Sequence, residues 1–349
     1  MKAQVLASAV VAAALSCAAA EEGFTDLFDG RTLEGWKVQS GEAKYMVSNG
    51  CIRGECVMRI PFNTFLITRK LYENFVFRCE YLCEFGNSGL QFRSSTYHHK
   101  KKDHDFVFGY QHEITPNGLN CGRIYDEERR GFKGRFTWLD VGTPENAANE
   151  AAKTCSKPGE WNSLEIVCCG PHIRTFVNGK PVADILDDES QKGFIGLQIH
   201  AQMHLFTRAG VTWWRNIRIR ELGGTAVWKD VAAKPAKGRI DGGECGDVMA
   251  RATLPKGVPL SALVVRGIPW KVGRKEVFDR VLNADGPNEV STIVYGDRVV
   301  HRLNGMEVYD GPLSCCGAPV AGRGRVEILS DNPRCRLRVC DISGLSARE

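Results

Sequence analysis

The chain has 349 residues, and its 46 Lys and Arg stand against 41 Asp and Glu for a formal net charge of +5. The two signs are interspersed along the sequence, which argues against nucleic acid as a partner. Past the N-terminus no run of about 18 apolar residues occurs, so no membrane span is predicted.

Residues 1–20 carry one cation, Lys2, an apolar run from Val5 to Leu15, and Ala18-Ala19-Ala20 before Glu21. This is the pattern of a cleavable signal peptide, so export to the periplasm or the exterior is expected. Ala14-Leu15-Ser16-Cys17 only partly matches a lipoprotein box because Leu sits one place off, and soluble secretion is the favoured reading. Thirteen of the 14 cysteines lie beyond residue 20. In an exported chain they are expected to form disulfides, with at least one thiol left over from the odd count. Their spacings match no zinc ribbon or finger.

The mature chain is too long for one typical core and predicts two domains, residues 21–222 and 239–349, joined by a linker at 223–238. In the first, Phe24 to Val38 contains a Gly30 turn and a second glycine before Trp36. Phe75 to Phe85 is the clearest strand, with Phe75, Phe77, Cys79, Tyr81 and Cys83 on one side. Ser88 to Ser94 places Gln91 and Arg93 opposite Leu90 and Phe92. Lys100-Lys101-Lys102, with His98, His99 and His104 around it, reads as a hydrated loop. Val107 to Ile114 alternates as a strand, placing Gln111 and Glu113 on one face. Pro116-Asn117-Gly118 then supplies a turn, and a return strand from Arg123 ends in Tyr125, Asp126, Glu127, Glu128, Arg129 and Arg130. Short strands continue through a hairpin at Glu160–Val182 with an Asn178-Gly179 turn, then Phe194–His200, then Val211–Leu222 with Asn216 off the apolar parity. An Ala-rich patch near Asn146 to Lys153 is the first helix candidate, so the domain reads as all-β.

Three strands thus repeat a polar pair two residues apart: Gln91 with Arg93, Gln111 with Glu113, Gln198 with His200. The bland explanation is ordinary half-exposed antiparallel strands. The choice of Arg, Glu, His and three glutamines, rather than Thr and Lys, points instead to one polar site on one sheet face. His200 with Glu113 also offers a pair of divalent-metal ligands.

FTDLFDGRTLEGW, NSGLQFRS, GYQHEI with GRIYDE, EWN with VNGKPV, and GFIGLQIH with WRNIRIREL occur in an order that resembles the 3-keto-disaccharide hydrolase family, over about Phe24 to Leu222. Many members carry the acid and the amide of the GYEVQI motif in the reverse order to Gln111 and Glu113. The resemblance implies a concanavalin-like antiparallel β-sandwich, often exported, and a partner enzyme that first oxidises a sugar at C3. It also implies cleavage by elimination: the C3 ketone acidifies the C2 proton, a base removes it, the C1 substituent leaves, and water adds. On that route His200 or Glu113 is the base, Arg93 stabilises negative charge, and Glu127 or Asp126 is the acid. Trp36, Gln91, Gln111, Tyr125, Gln198 and Asn216 would hold the sugar. An ordinary two-carboxylate glycosidase is a competing mechanism. A non-catalytic glycan-binding protein is the competing class, and a cysteine-stapled surface protein the third.

Beyond the linker, EWNSLEIVCCGPHIRTFVNGKPV is echoed by PNEVSTIVYGDRVVHRLNGMEVY at a constant shift of 126 residues. Leu329 and Asp331 stand where Gln198 and His200 would be, and nothing corresponds to GYQHEI. A smaller β-sandwich is expected there, a degenerate repeat without the site, serving as binding module or structural cover.

Overall fold

The computed structural model describes residues 23–56, 60–130, 138–140, 153–201, 210–231, 238–316 and 323–345. The expected signal peptide and nearly all of the Ala-rich patch lie outside the described residues. Among the described residues no helix is long and apolar enough to cross a membrane.

The alternation of aromatic and β-branched residues with polar ones builds two facing antiparallel sheets. In chain order their strands are β1 (Thr25–Asp26), β2 (Trp36–Gln39), β3 (Lys44–Ser48), β4 (Cys51–Glu55), β5 (Thr64–Thr68), β6 (Phe75–Phe85) and β7 (Ser88–His99). There follow β8 (His104–Ile114), β9 (Ile124–Glu127), β10 (Asn162–Cys169), β11 (His172–Val177), β12 (Lys180–Leu186), β13 (Phe194–Ile199) and β14 (Val211–Glu221). One sheet runs β12-β11-β10-β6-β14-β4-β3, with β1 added on β14; the other runs β2-β5-β13-β7-β8-β9. The core between them joins Phe75, Phe77, Tyr81 and Trp214 of the first sheet to Leu90, Phe92, Tyr110, Ile114 and Leu197 of the second. This is a concanavalin-like antiparallel sandwich.

A second, smaller sandwich follows. Its strands are β15 (Lys229–Val231), β16 (Ile240–Cys245), β17 (Val248–Leu254), β18 (Leu263–Val265), β19 (Asn288–Tyr295), β20 (Arg298–Leu303), β21 (Met306–Pro312), β22 (Gly324–Ile328) and β23 (Arg336–Asp341). They form a sheet β15-β23-β17-β19-β20-β21 and a sheet β16-β22-β18, with a short helix α1 (Lys275–Val281) against β21. The hairpins β10–β11 and β19–β20 share one register at a shift of 126, Leu164 facing Val177 and Val290 facing Leu303. The β11–β12 and β20–β21 turns that follow them also share one lock. Asn178 accepts from the Ser163 amide and donates to Asn162, as Asn304 accepts from the Glu289 amide and donates to Asn288.

The cysteine expectation is corrected. Every cysteine whose side chain is described is a free thiol, and only Cys315 of these is exposed. Cys79, Cys83 and Cys168 occupy inward strand positions in the sandwich core, where cysteine acts as a small apolar residue rather than half of a bridge.

Candidate functional site

Period-two alternation sends Leu90, Phe92, Tyr110, Ile114 and Leu197 into the core, so their neighbours emerge on the outer face of the β2–β9 sheet. Register then assembles rows across strands. One row sets Phe65, Gln198, Gly89 and Glu113 side by side on β5, β13, β7 and β8; the next sets Gln91 beside Gln111 beside Tyr125. The structure therefore brings together Gln91, Gln111, Glu113, Tyr125, Gln198 and, beside Gly109 on β9, Glu127. Gly89 makes the arrangement possible, because a Cβ there would lie 2.4 Å from the Gln111 side-chain carbonyl carbon.

Hydrogen bonds orient this row from end to end. The Ser94 hydroxyl donates to Gln91 Oε1 (2.7 Å), Gln91 Nε2 to Gln111 Oε1 (2.8 Å), and Gln111 Nε2 to Glu113 Oε2 (2.9 Å). Asn87 Nδ2 donates to the other Glu113 oxygen at 2.5 Å. Glu127 accepts from Asn63 Nδ2 at 2.8 Å. Asn63 Oδ1 in turn holds the Ala201 amide at 2.8 Å, tying the segment that follows β13 to Glu127. Gln198 is wholly buried, and among the described residues neither its amide oxygen nor its nitrogen has a hydrogen-bond partner. A buried amide left unsatisfied costs free energy unless a ligand completes it, and here it adjoins Glu113 across Gly89.

Both carboxyls are buried at 7% exposure, and burial raises both pKa values. Glu113 is pushed up to about 7, with the Asn87 and Gln111 amides and the Arg123 charge pulling the other way. Glu127 is pushed up to about 8, burial being reinforced by the Glu113, Glu128 and Asp126 charges and opposed by Asn63. Tyr125, held edge-on to Trp138 at 5.5 Å, is raised by burial and by Glu127. Near neutrality this face thus holds one carboxyl poised to exchange its proton and a second that keeps it. Glu127 also lines a cavity of about 420 Å³ together with Phe62, Asn63, Phe65, Phe106 and Val107.

His200 lies one residue past β13 on the parity of Gln198, exposed, with Nδ1 2.7 Å from the Ala201 carbonyl. A carbonyl only accepts, so Nδ1 carries the proton and Nε2 the lone pair in the neutral ring. Although the residue keeps exposed surface, the protein packed around its ring desolvates the imidazolium and lowers the pKa from the ordinary histidine value. Among the described residues no three His, Cys, Asp or Glu side chains gather as a metal site.

Four expected site residues go elsewhere. Arg93 leaves the Gln91 face because the β7–β8 ladder bulges between Phe92 and Ser95 and Arg93 adopts φ 46°. Its wholly buried guanidinium donates to the Glu73 carbonyl (2.7 Å), the Gly170 carbonyl (2.7 Å) and Asn74 Oδ1 (3.1 Å), pinning the far end of the other sheet. Asp126, next to Glu127, faces the opposite way and is clasped by Arg129 (2.5 Å) and Arg130 (2.7 Å). Trp36 is a core residue whose indole N–H donates to the Leu27 carbonyl. Asn216 sits on the other sheet, donating to Glu80 at 2.8 Å. The hollow around it, about 490 Å³, is lined by charges already paired with one another, such as Arg78 with Glu165. Asn63 and Asn87, which orient the two carboxyls, were not legible: each precedes its strand, where parity gives no cue.

The outer face of this sheet thus carries a set of amides and two buried carboxyls, one of which, Glu127, lines a cavity. Residues 23–220 match the 3-keto-alpha-glucoside-1,2-lyase-like domain, more than half of the chain, and the chain belongs to that family. Among curated proteins none matches it. A glycosyl hydrolase candidate from Parabacteroides distasonis is similar in structure at 20% identity, covering 58% of this chain and 95% of its own, with a TM-score of 0.40. The carbohydrate-binding module CBM66 of Bacillus subtilis is similar at 14% identity, 53% and 94% coverage and a TM-score of 0.35. A GlcNAcα1-4Gal-releasing endo-β-galactosidase of Clostridium perfringens is similar at 9% identity, 82% and 79% coverage and a TM-score of 0.39.

Proposed function

We propose that this chain is an exported enzyme that cleaves 3-keto-glycosides by elimination across C1–C2 followed by hydration. The observation that carries the reading is the pair of buried carboxyls, raised to about 7 and about 8, on one sheet face beside the unpartnered Gln198 amide. Glu113 serves as base: it takes the C2 proton, and the electron pair of that bond passes into an enolate on the C3 oxygen. Gln198 Nε2 is the free donor for that oxygen, the task first expected of Arg93. Collapse of the enolate expels the C1 oxygen, which takes the proton of Glu127. Water then adds at C1 of the enone and a proton returns to C2, giving the free 3-keto sugar. Gln91, Gln111 and Tyr125 line the same face for hydroxyl contacts, and His200 Nε2 is the alternative base. The substrate has to come from a reaction that dehydrogenates a glycoside at C3.

Incubating the protein with a 3-keto-glucoside and with the matching unoxidised glucoside tests the reading. Consumption of the keto compound alone is expected. Cleavage of the unoxidised glucoside would indicate a two-carboxylate glycosidase, and binding without cleavage of either would indicate a glycan-binding protein.

A further inference from the structure

Glu127 sits at the end of β9, a four-residue strand on the sheet edge that pairs through Gly109–Glu127 to His112–Ile124 on β8. So short a strand, held on its outer side by a bridge from Tyr125 to Trp138 and by the Leu139 amide on the Ile124 carbonyl, gains further hold from the side that faces away from the cavity. There Asp126, wholly buried, accepts from Arg129 Nε (2.8 Å), the Arg130 amide (2.9 Å) and Arg130 Nε (2.7 Å). Arg130 Nη1 continues to Asp187 Oδ2 (2.7 Å) and to the carbonyl of Gly305 (3.2 Å), in the β20–β21 turn of the second sandwich. Asp187 also accepts from the Tyr110 hydroxyl (2.5 Å) and pairs with Arg302 of β20 (2.9 Å). Arg302 further donates to the Leu186 carbonyl (2.5 Å) and pairs with Asp188 (3.3 Å), which Arg251 of β17 also holds (3.1 Å). Leu186 and Cys169 of the first sandwich pack on Met249, Ile293 and Val300 of the second, and Asp126, Asp187, Asp188 and Arg302 are all buried.

We propose that the second sandwich braces the edge strand that carries Glu127, with Arg302 as the positioning residue, acting through Asp187, Arg130 and Asp126. The strand β20, which repeats β11 at a shift of 126 residues, is put to a new use: it supplies Arg302, and the turn after it the Gly305 carbonyl. Losing Arg302 takes away one of the two guanidiniums that hold buried Asp187, so Asp187 is under-compensated and loosens, and with it, through Arg130, the Asp126–Glu127 segment. This rests on the reading of Glu127 as the acid, and the test separates the two.

The test uses the full chain carrying Arg302→Gln, with Arg302→Lys as the milder variant should Arg302→Gln fail to fold. Amide hydrogen exchange, read separately for Ile124–Glu127 and for Val211–Glu221, reports the brace without any substrate. Exchange at Ile124–Glu127 should accelerate at least about tenfold while Val211–Glu221 stays protected. With a 3-keto-glucoside, kcat should fall about tenfold with KM within about twofold, Arg302→Lys lying between. Unchanged exchange at Ile124–Glu127, or equal acceleration in both segments, overturns the brace. Selective acceleration in a protein whose wild type turns over no 3-keto-glycoside upholds the brace and rejects the enzymatic reading instead.

Discussion

Glu127→Gln gives the sharpest test of the buried carboxyl pair, because it asks whether one side chain keeps its proton near neutrality. The Glu127 pKa is raised from 4.5 to about 8, chiefly by burial. The folded state then holds a proton that the unfolded chain releases, so stability falls as pH rises from about 4.5 and levels off above about 8. At about 1.4 kcal/mol per pKa unit, a shift of about 3.5 units sets an upper limit of about 5 kcal/mol on the cost of ionised Glu127. Glutamine keeps an oxygen for Asn63 Nδ2 and carries no charge. Glu127→Gln should therefore match the wild type at pH 4, gain stability through pH 5 to 8, and be more stable above pH 8 by about 2–4 kcal/mol. Urea denaturation of both proteins across pH 4–9 measures the difference, in which groups that do not interact with Glu127 cancel and the coupling to Glu113, Glu128 and Asp126 is included. Glu127→Gln less stable than wild type at pH 9, or a difference that does not change with pH, would refute the reasoning.

Turnover of a 3-keto-glucoside should drop about 10²-fold or more in Glu113→Gln and in Glu127→Gln, measured as initial rates on folded protein. The pH–rate profile should be a narrow bell, rising through about 7 and falling through about 8, as the two raised carboxyls dictate. Arg93→Ala should act on the fold instead: three buried hydrogen bonds from a charged donor are lost, costing several kcal/mol at about 1.5–3 each in a denaturation curve. Gly89→Ala should displace the buried Gln111 amide from Gln91 and Glu113, lowering turnover and also lowering stability through the lost hydrogen bonds. Among the described cysteines, thiol reagents should label Cys315 rapidly in the native protein and the buried ones only on unfolding.

Much of the sandwich was readable because a strand's period is two: the alternation in Phe75–Phe85 and Val107–Ile114 names the core face, and Gln91, Gln111, Glu113 and Gln198 emerge on the other. The reading fails where the period breaks. Arg93 lies one residue past Phe92, at a bulge that sequence alone does not announce, and its left-handed φ turns it toward Asn74. Asp126 and Glu127 are neighbours in a strand and so cannot share a face, a constraint that favours only one of them. Trp36 was assigned by residue type and Asn216 by its parity within Val211–Leu222, and neither cue reveals which sheet a strand joins. The cysteines were read from compartment, whereas their strand parity places Cys79 and Cys83 in the core. The ion chain from Asp126 to Arg302 joins residues about 180 positions apart, beyond any local pattern.

The central claim is elimination at a carboxyl-lined sheet face, and deuterium incorporation reads it directly. Turnover of a 3-keto-glucoside in D2O, sampled early against an enzyme-free control, should place one deuterium at C2 of the released 3-keto sugar, and Glu113→Gln should abolish that exchange. Release of the sugar with its C2 hydrogen retained would mean the C1 bond breaks by direct displacement, contradicting the assignment of Glu113 as the base.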